Sequence, residues 1–312
     1  MLAALIQMGL LIACGTFWAH YAPAHIPVTA HRRAITDIVF VILLPALVLD
    51  IIWQTPLGTN SIKIAAVAAG GIVIGLCLMW GVTQWLALRK ETTGALLLAA
   101  AFPNSTYLGL PVLSQAIGPE SRAVVLQYDL FACTPILLTG GIMLAQHFST
   151  IKNTAIHPLK GLLRVPPLWA VVAGVALNVS GTAQPEILHK SLSLLAGAVV
   201  PLMLIVLGMS IRWRSLHVRY FPRLLPVVLI SLLLVPLGVN WLGGMMELGS
   251  SLRVMTSLIA AMPTMVFGIV ICERYHLDVD IYAAAVTLTT LSALVSLPFW
   301  HYVLVDASLA HG

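Results

Sequence analysis

Charged side chains are scarce in this sequence. Asp, Glu, Lys and Arg make up 9% of its 312 residues, compared with roughly 25% in an ordinary soluble domain. Hydrophobic residues reach 60%, and the mean hydropathy is +0.99. A water-soluble fold of this length has too little interior to cover so much apolar surface, whereas a lipid bilayer accommodates it. The composition therefore excludes a soluble globular protein and predicts an integral membrane protein.

Recognisable catalytic and metal-binding motifs are also missing. The four cysteines are far apart and form no CxxC pair, and the ten histidines include no HExxH spacing, so we expect no metal and no cofactor. No GxSxG segment or nucleotide-binding loop occurs, so we do not expect an enzyme. Basic residues outnumber acidic ones but form no continuous stripe. We therefore expect the bilayer, and not nucleic acid, as the large-scale partner.

Long apolar runs recur along the whole chain. Each is long enough to approach or cross a hydrocarbon core of about 30 Å, and lipid requires the backbone of a crossing segment to pair internally, as in a helix. The sequence thus predicts an all-α protein with ten transmembrane helices. The predicted spans are Leu2–Trp18, Ala34–Trp53, Ile62–Leu86, Thr92–Ile117, Ala123–Phe148, Pro167–Val179, Leu188–Ile211, Leu224–Met246, Leu252–Cys272 and Ile281–Val303.

The gaps between the spans carry positive charge in strict alternation. Lysine and arginine concentrate in cytoplasmic loops, so the basic gaps are predicted to be cytoplasmic. Both termini are then extracytoplasmic, in a multi-pass protein of the cytoplasmic (inner) membrane. Twelve of the 16 lysines and arginines lie in every second gap, starting after the first span: Arg32, Arg33, Arg89, Lys90, Lys152, Lys160, Arg164, Arg212, Arg214, Arg219, Arg223 and Arg274.

Prolines at matching places indicate an internal repeat. The pairs lie 156, 160 and 163 residues apart, and they are Pro45 with Pro201, Pro103 with Pro263, and Pro135 with Pro298. A nearly constant offset predicts two five-helix repeats, at residues 1–156 and 157–312. Because five is odd, the second repeat begins on the opposite side and the repeats are inverted, as in many secondary carriers. A chance alignment of kink prolines is the alternative.

The fourth and ninth spans are predicted to break near the bilayer midplane. The fourth contains Pro103, Gly109 and Pro111, and the ninth contains Pro263 and Gly268; a proline removes a donor from the helical ladder and clashes with the preceding turn. Broken backbone at that depth is tolerated where it is buried in protein or lines a cavity, and its free amides can hold an anion. Ordinary kinks are the alternative. The predicted substrate-binding residues are Pro103, Asn104, Ser105, Tyr107, Gly109, Pro263, Thr264 and Gly268.

Polar residues inside the spans are the candidates for coupling. Asp129, with the adjacent Gln127 and Tyr128, lies in the fifth span, and Asp50 lies near the outer end of the second. An acid inside the membrane is costly and commonly marks function. Asp129 either carries a proton or balances substrate charge, or it makes a structural hydrogen bond to the break. Asp50 either lines an outer vestibule or lies at the interface.

The first break carries a family resemblance. The run Phe102–Pro111 reads FPNSTYLGLP and resembles the Pro-Asn…Gly-Leu-Pro crossover of the auxin efflux carrier family, which includes plant auxin exporters and bacterial malonate or malate permeases. Ala261–Tyr275 is similar to the family's second crossover, and Val200–Ile211 to its seventh-span signature. The likeness extends over essentially the whole chain.

The resemblance implies a fold like that of NhaA-type antiporters and bile-acid symporters, with broken crossover helices four and nine. It implies a scaffold of helices 1, 2, 6 and 7, a transport domain of helices 3–5 and 8–10, and elevator-type alternating access. The implied substrate is a small organic anion, either auxin-like or a dicarboxylate. We also expect a homodimer formed through the scaffold. An ion-coupled antiporter, a channel-like protein and a polytopic membrane enzyme are the alternatives.

Overall fold

The computed structural model of the chain describes residues 2–22, 26–150, 165–210 and 220–306. Helices occupy nearly all of these ranges, which contain no β-strand and a single isolated bridge between two extended residues. The prediction of an all-α fold is confirmed for this part of the chain.

The helices follow one another with short connections. Of those described, α2, α3, α6, α8, α9 and α12 are long and apolar enough to cross a membrane, and α7 is a shorter apolar helix. The chain is therefore a multi-pass membrane protein. The bounds are α1 (Leu2–Tyr21), α2 (Val28–Gln54), α3 (Thr59–Trp85), α4 (Lys90–Ala101), α5 (residues 105–116), α6 (Ser121–Phe148), α7 (Pro166–Val179), α8 (Glu186–Ser210), α9 (Phe221–Met245), α10 (Ser250–Ala260), α11 (Gly268–Arg274) and α12 (Val279–His301).

Each predicted span overlaps one of these helices, six of which are long and apolar enough to cross a membrane, and the two spans expected to break overlap the pairs α4–α5 and α10–α11. One boundary was wrong. The second helix begins at Val28 and not at Ala34, because it starts directly after Pro27, whose fixed φ and missing N–H suit a helix start. Arg32 and Arg33 consequently lie within α2. Parts of the charge and repeat predictions fall outside the described residues: Lys152, Lys160, Arg164, Ile211, Arg212, Arg214, Arg219 and the junction at residues 156–157.

Prolines widen several helices instead of ending them. A proline cannot donate to the carbonyl four residues earlier, so the turn before it widens to bonds spanning five residues. In each of four cases the proline stands two residues after the end of a wide turn, and the pairs are Val39–Leu43 with Pro45, Ser105–Gly109 with Pro111, Asp129–Cys133 with Pro135, and Ile230–Leu234 with Pro236.

The C-terminal ends of α3 and α9 have the same geometry. Two residues after the last helical residue, each chain segment has a non-glycine residue with positive φ, Ala87 at 46° and Glu247 at 50°. In both cases the next residue donates its backbone N–H to a carbonyl five positions back, which is a common way to satisfy the last carbonyls of a helix. The two turns are 160 residues apart, the same separation as Pro103 and Pro263.

The helices pack in two groups. In the first, α1 runs along α8, and α2 packs against α7 and α8. In the second, α3 packs against α4 and α9, α9 against α10, and α12 against α4 and α9. The innermost helix is α4, in which every residue from Thr92 to Ala101 is buried.

Two glycines allow α1 and α8 to approach closely. A methyl group added at Gly208 would collide with the carbonyl oxygen of Ile12, and one added at Gly15 would collide with that of Ile205. The hydroxyl of Thr16 donates to the carbonyl of Gly208 at 3.2 Å. Small residues at such contacts are typical of helix pairs in membranes.

Candidate functional site

The two broken helices cross at their breaks. Around Pro103 the chain is extended and pairs antiparallel with the corresponding residues of the second break. Two backbone hydrogen bonds close this bridge: the Asn104 N–H donates to the Pro263 carbonyl at 2.8 Å, and the Met265 N–H donates to the Phe102 carbonyl at 3.1 Å. The crossing thus satisfies some of the backbone groups that the two helix breaks release.

Thr264 anchors the second break to its neighbours. Its hydroxyl donates to the carbonyl of Ala99 in α4 at 2.8 Å. Its backbone N–H donates to the hydroxyl of Thr289 in α12 at 3.1 Å. Because the hydroxyl and the backbone N–H of Thr264 are both used in this way and the residue is only 1% exposed, Thr264 fixes the second break against α4 and α12.

Gly268 lies under a tyrosine ring. A methyl group added there would collide with the ring of Tyr282, whose hydroxyl donates to the carbonyl of Met265 at 2.9 Å. Gly268 is therefore required for packing, because only glycine lets this ring reach the bridge. Gly109 is also buried, but a methyl group there would make ordinary contacts.

Asn104 presents an unused donor at the crossing. The residue is 3% exposed, and its side-chain Nδ2 has no hydrogen-bond partner among the described residues. Leaving a buried amide donor unsatisfied is costly. Asn104 lines two cavities, of about 170 Å³ and 220 Å³, so a ligand in either can approach this amide.

The crossover cavity is the 170 Å³ space beside α5 and α6. Ser105 and Asp129 both line it, and Tyr107, which is half-buried, forms part of its wall. The remaining wall is largely apolar, with side chains such as Phe40 and Leu137. An apolar chamber with a few convergent polar groups is typical of small-molecule sites.

Asp129 accepts hydrogen bonds from three hydroxyl groups. Ser105 donates to its Oδ1 at 2.7 Å, and Thr106 and Thr134 donate to its Oδ2 at 2.5 Å and 3.4 Å. Two of these donors belong to the first turn of α5, so the carboxylate ties α6 to the crossing. The contact is the structural hydrogen bond to the break that the sequence suggested, and Asp129 also lines the cavity, so its role in coupling stays a prediction.

The other predicted coupling residues lie elsewhere. Gln127 and Asp50 line a vestibule of about 590 Å³ that shares no residue with the crossover cavity. Within it, Asp50 accepts from Gln184 Nε2 at 2.8 Å and contacts His189 Nδ1 at 2.8 Å. Tyr128 is buried in the core between the helices.

Some of the predicted binding residues line the crossover cavity and others do not. Pro103, Asn104, Ser105 and Tyr107 line the crossover cavity, whereas Gly109, Pro263, Thr264 and Gly268 do not line it. Sequence reasoning missed several wall residues. Thr106 lies inside the motif of the first break, and Met265 and Phe267 lie inside that of the second, so these three could have been found, whereas Cys133 and Thr134 belong to α6 and have no motif of their own. Among the missed wall residues are Thr106, Cys133, Thr134, Met265 and Phe267.

Comparison with known proteins decides the family. The profile described as membrane transport protein, which covers the auxin efflux carriers, matches residues 1–301. The chain belongs to this family. The resemblance found in the crossover motif is thereby confirmed, and a membrane transporter is also consistent with the expectation that the chain is not an enzyme.

Relatives of this transporter occur in archaea and bacteria. An uncharacterized transporter of Methanothermobacter thermautotrophicus is 30% identical over 274 residues, covering 86% of this chain and 87% of the relative. Uncharacterized transporter MJ1031 of Methanocaldococcus jannaschii is 24% identical, covering 88% and 91%. Uncharacterized transporter YfdV of Escherichia coli K12 is 24% identical over 66% of each chain.

Proposed function

We propose that the protein is a secondary transporter that moves a small organic anion, a carboxylate, across the cytoplasmic membrane. The observation that carries the proposal is the unpaired amide of Asn104, buried where two broken helices cross and where the backbone lines a cavity. An anion at this point gains a donor that nothing else in the described chain uses. Such midplane breaks are where secondary transporters bind substrates.

The architecture proposed for this function has ten transmembrane helices in two inverted five-helix repeats. The matching turns at Ala87 and Glu247 support the repeat, because they share the 160-residue offset of the break prolines. The separate packing of α1, α2, α7 and α8 supports a scaffold, and the packing of α3, α4, α9, α10 and α12 supports a transport domain. Movement of one group against the other gives elevator-type alternating access.

The size of the cavity supports a proposal of proton coupling through Asp129. A carboxylate substrate and an ionised Asp129 repel each other strongly within a largely apolar space of about 170 Å³. Protonation of Asp129 removes this repulsion, and the carboxyl group can then donate a hydrogen bond as well as accept. We therefore propose that the anion and a proton travel in the same direction.

We further propose a homodimer in the inner membrane with both termini extracytoplasmic. Apolar side chains on α7 and α8 of the scaffold point outward, among them Trp169, Val172, Ile187 and Leu194. This surface suits lipid contact as well as a second scaffold. Disulfide cross-linking in membranes between two copies that carry Val172→Cys tests the dimer. If neither this variant nor cysteine variants at neighbouring positions of α7 and α8 form a cross-linked species, the homodimer is contradicted.

The decisive experiment compares Asn104→Ala with Asn60→Ala, a change at an exposed asparagine of the vestibule. Mono- and dicarboxylates are first screened by thermal shift, and the best ligand is used for binding and proteoliposome uptake. Losing a hydrogen bond to an anion costs about 1.5–3 kcal/mol, so Asn104→Ala should weaken binding roughly 10- to 150-fold.

Asn60→Ala should leave affinity unchanged, and the melting temperatures of both apo variants should stay near that of the wild type. Saturable uptake with counterflow would identify a carrier and exclude a channel. Wild-type affinity in Asn104→Ala would show that the crossing is not the binding site.

A further inference from the structure

The second cavity at Asn104 leads to a pair of arginines. This arginine cavity has a volume of about 220 Å³ and shares Asn104, Tyr107 and Phe267 with the crossover cavity. At one end it is bounded by Arg32 and Arg33 on the first turns of α2. The walls between are formed by apolar residues of α8, of the segment leading into α11 and of α11 itself: Met203, Val206, Leu207, Val266, Ile269 and Val270.

Burial changes steeply along this cavity. The side chain of Arg33 is 70% exposed, whereas Asn104 at the inner end is 3% exposed. An anion approaching from the arginine side therefore meets a solvated guanidinium group before it reaches the buried amide. Guanidinium groups suit this role because they present several donors in a plane that matches a carboxylate.

Two carboxylates balance the arginines at this end. Asp37 lines the same cavity one turn beyond Arg33 on α2. Glu273 of α11 approaches Arg33 with an Oε2–Nη2 distance of 3.7 Å, and its side chain is 36% exposed. An ion pair that is long and open to solvent is weak, so an incoming anion can exchange with Glu273 for the guanidinium group.

From this arrangement we infer that Arg33 captures the anionic substrate at the mouth of the arginine cavity, in competition with Glu273. The inference rests on the proposed function, because it supplies the first contact on the route to Asn104. Removing either of the two charges is expected to have the opposite effect from removing the other. Removing the charge of Arg33 lowers the capture of anions, whereas removing the charge of Glu273 raises it. If the ion pair served only to hold α2 against α11, both changes would break it and act in the same direction.

Charged thiol reagents test the inference without knowledge of the natural substrate. Val270 lines the cavity and is 44% exposed, so Val270→Cys places a reporter thiol there. The exposed Cys14 and Cys77 are replaced by alanine, while the buried Cys133 and Cys272 stay, and labelling without Val270→Cys gives the background. The measured quantity is the ratio of modification rates by sulfonatoethyl methanethiosulfonate, an anion, and trimethylammonioethyl methanethiosulfonate, a cation.

Arg33→Gln should lower the anion-to-cation rate ratio about three- to tenfold, and Glu273→Gln should raise it by a similar factor, since Arg33 lines the same cavity as the reporter and Glu273 is three residues from it on α11. Raising the salt concentration should shrink both effects. Arg89→Gln, which removes an arginine from the predicted cytoplasmic surface outside this cavity, is the matched control and should leave the ratio unchanged.

A change of the ratio in the same direction for both variants, or no change in either, would overturn the inference. The ratio is measured without substrate, so it does not depend on the role of Asn104. Opposite shifts together with wild-type affinity in Asn104→Ala would retain anion capture and reject the crossing as the site. No shift in the rate ratio together with weakened binding in Asn104→Ala would reject anion capture by Arg33 and retain the crossing as the binding site.

Discussion

Asp129 is the one ionisable carboxylate that lines the crossover cavity within the described ranges, and its position gives it two tasks. Its hydrogen bonds to Ser105 and Thr106 hold the first turn of α5. Its partial exposure to the cavity lets it meet a substrate. Asparagine keeps the shape and one acceptor oxygen, and the hydroxyl donors can rotate to accommodate its amide. Asp129→Asn therefore removes the negative charge while keeping the hydrogen bonds that hold the first turn of α5.

We expect Asp129→Asn to abolish the stimulation of uptake by a proton gradient while the protein still folds. In the wild type, acidifying the side that holds the anion should accelerate uptake, because the anion binds more readily beside a protonated Asp129 than beside an ionised one. Uptake by the variant should be independent of pH. Proteoliposomes with imposed pH gradients provide the measurement, and Asp280→Asn, at an exposed position near the start of α12, is the control. A wild-type pH profile in Asp129→Asn would leave the residue with a purely structural role.

At the scale of helices, the contact between α1 and α8 is sensitive to a single methyl group. The Cβ of Gly208→Ala would collide with the carbonyl oxygen of Ile12, and backbone cannot move aside as a side chain can. Overpacking of this kind costs about 1–3 kcal/mol. Gly208→Ala should lower the melting temperature in detergent by several degrees, since a change of 1 kcal/mol shifts it by about 2–4 °C in larger domains.

Gly197→Ala is the matched control for this contact, because a methyl group there has open space around it. It lies in the same helical segment, Glu186–Ser210, and should leave the melting temperature nearly unchanged. Equal melting temperatures for the two variants would mean that α1 and α8 do not depend on this close approach.

The break in the ninth predicted span should matter for movement more than for binding. Pro263→Ala restores the N–H that proline lacks and removes its clash with the preceding turn, which favours a continuous helix from α10 to α11. In a continuous helix, the carbonyl of residue 263 no longer accepts the hydrogen bond from the backbone N–H of Asn104. We expect uptake to fail while part of the ligand binding survives. Uptake at the wild-type rate in Pro263→Ala would show that the break has no part in the cycle.

Much of the helical layout follows from hydropathy alone, since lipid requires long apolar helices and loops between them are polar. The positions of both breaks follow from Pro103 and Pro263, whose backbone chemistry is local. Other features depend on contacts between distant residues and have no local signal. The pairing of Asp129 with Ser105 joins positions 24 apart, and the separation of Asp50 from the crossing is visible only in three dimensions.

At the scale of the whole molecule, alternation of positive charge predicts which end of each helix faces the cytoplasm. Fusions of green fluorescent protein and alkaline phosphatase after Lys90 and after Pro119 test this within the described helices. We expect fluorescence without phosphatase activity after Lys90 and the reverse after Pro119, because the segment that follows α3 carries Arg89 and Lys90. Fluorescence at both positions would contradict the proposed topology.

The backbone bridge at the crossing also bears on how the protein is made. Asn104 emerges from the ribosome 159 residues before Pro263, whose carbonyl it needs. At a synthesis rate of about 5–20 residues per second, the first break is made roughly 8–30 s before the second. During that time its polar backbone is exposed inside the membrane or held by an insertion factor. Nascent chains stalled before α10 should therefore be recognised by quality-control proteases, whereas chains stalled after α11 should escape them.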